Sequence, residues 1–361
     1  MRKAYLDNIR WSTVLLVLIY HVCYMFNGVG ILGGIPQAKS LPAFDTIASV
    51  LYPWFMVLLF VVAGISARYA LQKRSAKQFI KERAVKLLIP STLGLFVIHW
   101  ITGYLNIKMG GGLAYIPKFL IYPISVISGT AHLWFIQMLF AFSCLLVLLR
   151  KADKSDKIWI FCAKIKQPML PLLSVFVFLA AQILNMPVLT MYRFGIYLLS
   201  FLFGYYIFSH ERVQEMTENI RLPMLCLAVV SMAVYVYCYG GGNYTSSACL
   251  QSVITNVTLW MMVLTIIGYG RKYFNRETAF TRRLAKSGFG IYILHYPVLI
   301  VTCDLLYTCF DLPAIWNYVI ALAVEIVMTF LLYGVIRRIP LVRFAVLGVS
   351  SLDSQENGRR R

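Results

Sequence analysis

Five histidines interrupt an otherwise apolar chain, and three of them, His21, His99 and His295, fall inside runs of Leu, Val, Ile and Phe. An imidazole takes up and returns a proton near neutral pH, and it can attack a carbonyl carbon. In hydrocarbon such a group marks either that chemistry or a bond to a neighbouring helix. Around His21 the chain reads YLDNIRWSTVLLVLIYHVCYMFN over 5–27, with Arg10 eleven residues before the histidine. On a helix that spacing is about three turns, so both side chains share one face, roughly 16 Å apart along the axis. At about 1.5 Å per residue, His21, His99 and His295 each lie roughly 12–18 Å from the expected cytoplasmic helix ends, near the bilayer midplane. His132 instead begins a span at the outer face, and His210 is expected to be a solvated loop residue. Among the carboxylates only Glu325, nine residues into the last apolar run, reaches a comparable depth. It could hold an imidazole in its basic tautomer, stay a neutral acid or pair with a buried cation.

Membrane helices must carry these residues. Of 361 residues 60% are apolar and 13% charged, and mean hydropathy is +0.73, which excludes a soluble globular domain of useful size. Measured against the ~20 residues that cross a bilayer, the apolar runs predict an all-α integral membrane fold of ten transmembrane helices. They lie near 11–27, 47–67, 87–105, 132–149, 168–185, 190–208, 222–239, 250–269, 287–309 and 316–336. With both termini cytoplasmic, thirty of the 34 basic residues fall on the inner side, leaving Lys39, Lys108, Lys118 and Arg193 outside. That bias accounts for the net charge of +20 without a nucleic-acid partner. The basic start and first apolar run have no small-residue cleavage site after Phe26, so a helix and not a removed signal is expected. Residues 113–128 are short, apolar and broken by Pro117 and Pro123, the pattern of a re-entrant or interfacial piece. Residues 1–347 form one membrane domain, followed by a polar, cytoplasmic and disordered tail at 348–361. Eight cysteines show no Cys-x-x-Cys or metal-ligand spacing and are expected to be inert, although Cys238 with Cys249 or Cys303 with Cys309 could bridge on the outer face. No metal is expected.

Four short stretches resemble acyltransferase family 3, the multi-spanning bacterial enzymes that acylate sugars and glycans of the cell envelope. Asp7-x-x-Arg10 followed by His21 is similar to the first transmembrane helix of that family. Arg83-x-x-Lys86 stands where the family has an Arg-x-x-Arg pair before a Leu-rich helix and Pro90. His132-Leu133-Trp134-Phe135 resembles its His-x-Trp-Phe element, and SGFGIYILHYP over 287–297 its Tyr-x-x-His-x-Pro helix, here Tyr292, His295 and Pro297. Two departures stand out: Lys86 loses the bidentate fork of an arginine, and Ala63 in Phe60–Gly64 replaces the usual serine, removing that hydroxyl. His99 matches no family motif and is read as structural.

The resemblance implies an acyl-CoA-dependent O-acyltransferase of the bacterial inner membrane, with acetyl-CoA as donor and a carbohydrate or glycan acceptor. It implies donor phosphates at Arg10, Arg83 and Lys86, a base or nucleophile at His21, further catalytic candidates in Glu325, His295 and His132, and substrate contacts from Trp134 and Tyr292. Membrane lipids would surround it. The reading from another class is a proton-coupled secondary transporter with His21 and Glu325 as a relay, although such a relay needs no arginine at its inner mouth.

Overall fold

The structure, a computed structural model, describes residues 3–35, 39–186 and 192–349. Hydrocarbon offers the backbone no partners, so a chain this apolar must satisfy its peptide groups within helices. The helices are α1 (Ala4–Met25), α2 (Pro42–Leu51), α3 (Phe55–Leu71), α4 (Ala76–Arg83), α5 (Trp100–Met109), α6 (Ile121–Ser128) and α7 (Trp134–Ala152). They continue with α8 (Lys157–Cys162), α9 (Met169–Leu172), α10 (Ser174–Ala180), α11 (Phe194–Tyr206), α12 (Glu211–Asn219) and α13 (Arg221–Tyr239). Last come α14 (Ser247–Leu250), α15 (Val253–Tyr273), α16 (Ala279–Cys309), α17 (Ala314–Ile336) and α18 (Pro340–Leu347). Six stretches are long and apolar enough to cross a membrane: Pro42–Leu71, Lys118–Ala152, Arg221–Tyr239, Val253–Tyr273, Ala279–Cys309 and Ala314–Ile336. Each overlaps one of the ten expected spans. α1 and the shorter apolar helices Met169–Ala180 and Phe194–Tyr206 cover three others.

The span expected at 87–105 is not one regular helix. Wide turns at Ala84–Leu88 and Leu95–His99 flank residues 89–94, and only α5 is regular. Pro90 has no N–H to continue the ladder, and the wider pattern takes over on either side: Ile89 N bonds the Ala84 carbonyl and Gly94 N the Ile89 carbonyl, each five residues back. The short piece expected at 113–128 consists of tight turns at Gly112–Tyr115 and Lys118–Leu120 followed by α6.

The chain divides into two compact units. One comprises the residues up to Leu16, Asp45–Phe79 and Ala141–Lys286. Within it α3 and α11 pack closely at Gly64 and Gly204, where a Cβ on either would run into the other helix's backbone. Its polar side is tied by charge pairs. Lys3 bonds Glu211, and Arg271 reaches Glu211 at 2.5 Å and Glu218 at 3.0 Å. The Arg68 guanidinium forks onto Asp156 at 2.9 and 3.1 Å and lies 4.3 Å over the Trp159 ring. Asp156 is held in the left-handed region (φ 52), and the bonds from Arg68 keep its carboxyl below the usual range. His210 is not the solvated residue expected: it is buried, stacked 3.9 Å on Trp159 and bonded to that residue's carbonyl. The reason is the Trp159 face, apolar area that covers the imidazole inside a charged loop.

The other unit comprises Val17–Phe44, Ile80–Phe140 and the residues from Ser287 onward. Gly103 and Gly129 let α5 and α6 meet: a Cβ at Gly103 would strike the Ser125 carbonyl, and one at Gly129 the His99 carbonyl. All eight cysteines are free thiols. The two bridges considered possible do not form, because each pairs a buried thiol with an exposed one; Cys303 and Cys309, six residues apart on α16, are separated by about 9 Å of helical rise.

Candidate active site

The second unit gathers four histidines. His21, near the end of α1, has Nδ1 2.9 Å from the Val17 carbonyl of the preceding turn and 3.2 Å from Nε2 of His295. The two rings are 5.0 Å apart, and Tyr296 meets His21 edge-on at 5.1 Å. His295 lies in the middle of α16 with Nδ1 2.6 Å from the Tyr292 carbonyl. His132, in the turn Ala131–Leu133 that leads into α7, stacks on Tyr296 at 5.1 Å and stands 5.2 Å from His295.

Pro297 explains how His132 is held. Proline has no N–H, so the Ile293 carbonyl four residues earlier loses its helical donor and needs another. His132 Nε2 fills that role at 2.9 Å, while the Tyr292 hydroxyl donates to the His132 carbonyl. One turn of α16 thus fixes both the ring and the backbone of a residue on another element. The freed carbonyl goes to His132 and not to His295, which lies only two residues before the proline.

His99 joins the group. Its ring is 5.2 Å from His132, and neither ring nitrogen has a hydrogen-bond partner among the described residues. Sequence left it aside because it carried no motif; its depth, similar to that of His21 and His295, was the available signal. His132, placed by sequence at the outer face, packs with histidines expected near the midplane. Accessibility separates the four: His99 and His295 are 0% exposed and His132 3%, whereas His21 is only half-buried. His21 Nδ1 is occupied, which leaves Nε2 as the ring nitrogen without a hydrogen bond among the described residues.

The other candidates divide. Tyr292 is part of the cluster through His132, and Phe135 sits 5.7 Å from its ring. Trp134 opens α7, buried, with its ring 6.3 Å from Phe135. Glu325 is fully buried on α17, and neither carboxylate oxygen has a hydrogen-bond partner among the described residues. It therefore makes no bond to any histidine here. Arg83 closes α4 and Lys86 lies in the wide turn that follows, the first half-buried and the second exposed. Arg10 belongs to the first unit, where Nη1 pairs with Asp7 at 2.8 Å and Nη2 donates to Ser66 Oγ at 2.8 Å. Ala63 removes one hydroxyl from α3, but Ser66, three residues on, supplies the one that holds this arginine; sequence reasoning missed it.

No group of three or more His, Cys, Asp or Glu side chains among the described residues is arranged to hold a metal ion. Chemically the cluster offers one accessible imidazole backed by three buried ones, an arrangement suited to taking a proton from a substrate hydroxyl or attacking an acyl carbon. No curated protein and no solved structure matches the chain. A model of one family, described as an acyltransferase domain, matches residues 3–335, nearly the whole chain. With that match, the chain belongs to acyltransferase family 3 and is a membrane acyltransferase.

Proposed function

We propose that the enzyme moves an acyl group from cytoplasmic acyl-CoA, acetyl-CoA in the first instance, to a hydroxyl of a carbohydrate acceptor of the bacterial envelope, with His21 as general base. The observation that carries this reading is the half-buried His21 ring, engaged through Nδ1 and without a hydrogen bond at Nε2 among the described residues, at the edge of a buried imidazole cluster. In this reading His21 takes the acceptor's proton while the oxygen attacks the thioester carbonyl. Trp134 and Tyr292 form aromatic contacts to the acceptor, and the apolar surroundings keep out water that would hydrolyse the donor. Arg83 and Lys86 bind donor phosphates, Lys86 as a point charge without a fork. Arg10 is a separate phosphate contact, prearranged by Asp7 and Ser66. His132 and His295 support the base, and Glu325, without a bond to them, remains an acid in reserve.

The topology that goes with this function is ten spans in the bacterial inner membrane with both termini cytoplasmic, as the distribution of basic residues favours. Residues 1–347 form the enzyme and 348–361 a polar tail, of which 350–361 lie outside the described residues.

His21→Ala tests the reading in one preparation, by folded yield, acetyl-CoA affinity and acyl transfer in native membranes. A base acts in the transition state, so transfer should fall by about 10²–10⁴-fold while donor affinity stays within a few-fold. Well-folded protein that transfers at the wild-type rate removes His21 from the chemistry. Loss of yield and affinity together would instead identify a packing residue.

A further inference from the structure

Two backbone carbonyls decide which atoms of the His21–His295 pair carry hydrogen. A carbonyl oxygen only accepts, so a ring nitrogen bonded to one must be an N–H. The Val17 oxygen lies 2.9 Å from His21 Nδ1, and the Tyr292 oxygen 2.6 Å from His295 Nδ1. As neutral rings both histidines are therefore Nδ1–H tautomers with the lone pair on Nε2. They face each other through His21 Nδ1 and His295 Nε2 at 3.2 Å, a donor against an acceptor. The reverse assignment would put hydrogen on both nitrogens of the fully buried His295 and turn a lone pair of His21 toward the Val17 oxygen. That places an uncompensated charge in an apolar interior and sets two acceptors against each other.

We propose that His295 is the positioning residue of the base: its Nε2 lone pair accepts His21 Nδ1–H and so leaves His21 Nε2 as the basic atom of the ring. The inference rests on the role of His21 proposed above. During transfer the acceptor O–H proton passes to His21 Nε2 as oxygen bonds the acyl carbon. When the carbon–sulfur bond breaks, the same proton passes from Nε2 to the thiolate. Throughout, Nδ1–H stays on His21 and keeps two acceptors, the Val17 carbonyl and His295 Nε2, which share the positive charge of the transient imidazolium. In many sites a carboxylate does this. Here a neutral imidazole does it, and adds no second charge to a buried site.

The tautomers are read directly by ¹⁵N NMR on the full-length, histidine-labelled protein in nanodiscs of phosphatidylethanolamine and phosphatidylglycerol, a measurement that needs no acceptor. Nδ1–H tautomers at His21 and His295, with Nε2–H at His132, are expected; an Nε2–H tautomer at His21 or His295 overturns the proposal. Two variants test the function in native membranes with acetyl-CoA. His295→Gln can present an amide oxygen where Nε2 stood, whereas His295→Phe fills the space without an acceptor. The Phe variant should lose about 10- to 100-fold in kcat at unchanged KM for acetyl-CoA, the worth of one charge-assisted hydrogen bond, and the Gln variant should recover most of it. Equal kcat in folded Phe and Gln variants overturns positioning. The two readings fail separately: wrong tautomers beside an inactive His21→Ala remove only the role of His295, while an active His21→Ala removes the base itself.

Discussion

Pro297 sits buried inside α16, and its replacement by alanine sets two effects against each other. Alanine restores an N–H whose natural acceptor is the Ile293 carbonyl, the same oxygen that takes His132 Nε2–H at 2.9 Å. On stability, removing an interior proline recovers up to about 3 kcal/mol of helix propensity. Against that, orphaning the buried His132 N–H costs about 1–3 kcal/mol, and deleting two buried methylenes costs about 1.6 kcal/mol at ~0.8 kcal/mol each. The contributions nearly cancel, so net stability should change by less than about 2 kcal/mol and the melting temperature by only a few degrees. Geometry has no such cancellation. With its carbonyl taken, His132 loses the bond that fixes its ring beside His295. Turnover per folded molecule should drop by about 10- to 100-fold, the usual consequence of misplacing reacting groups by an ångström. Melting of purified protein in detergent, paired with acyl transfer by the same preparation, reads both quantities. Normal melting with unchanged turnover would show that the cluster does not depend on the proline-freed carbonyl. A melting temperature lowered by more than about 10 °C would show that the helix-propensity gain was wrongly assigned.

Arg83→Ala should raise the KM for acetyl-CoA in folded protein, because it removes a phosphate contact; unchanged donor affinity would make Arg83 a topology anchor only. A reporter fused after Gly242 should lie outside the cell if the ten-span arrangement holds, and a cytoplasmic reporter would reverse it. The Arg68–Asp156 pair should leave a signature in acid. Its carboxyl is held below the ordinary range by Arg68, so the stabilisation is complete above about pH 5, where an unfolded aspartate is almost fully ionised, and is lost as pH falls through the lower folded value. Asp156→Asn should therefore lower the melting temperature at neutral pH and flatten its decline below about pH 5; an unaltered profile would mean that the pair contributes nothing.

Hydropathy alone determined that this is a chain of membrane helices, because in hydrocarbon the backbone must bond within its own segment and each apolar run carries its answer locally. Six long helices overlap runs identified from composition, and the irregular piece over 113–128 falls where its prolines and short length announce it, whereas the span expected at 87–105 is interrupted around Pro90. Sequence also singled out His21, His132 and His295 by type and motif. It could not say that they touch, because His21 and His295 are 274 residues apart and His132 and Ile293 161, and no local periodicity encodes a contact between distant helices. Tertiary structure alone decided that His99 lies beside His132, that the Pro297-freed carbonyl serves His132, and that Ser66 holds Arg10 in the absence of a serine at position 63. It also left Glu325 without a bond to any imidazole. Each of these turns on where one helix presents a carbonyl, a hydroxyl or a ring edge to another, a matter of rotation and depth that only packing fixes.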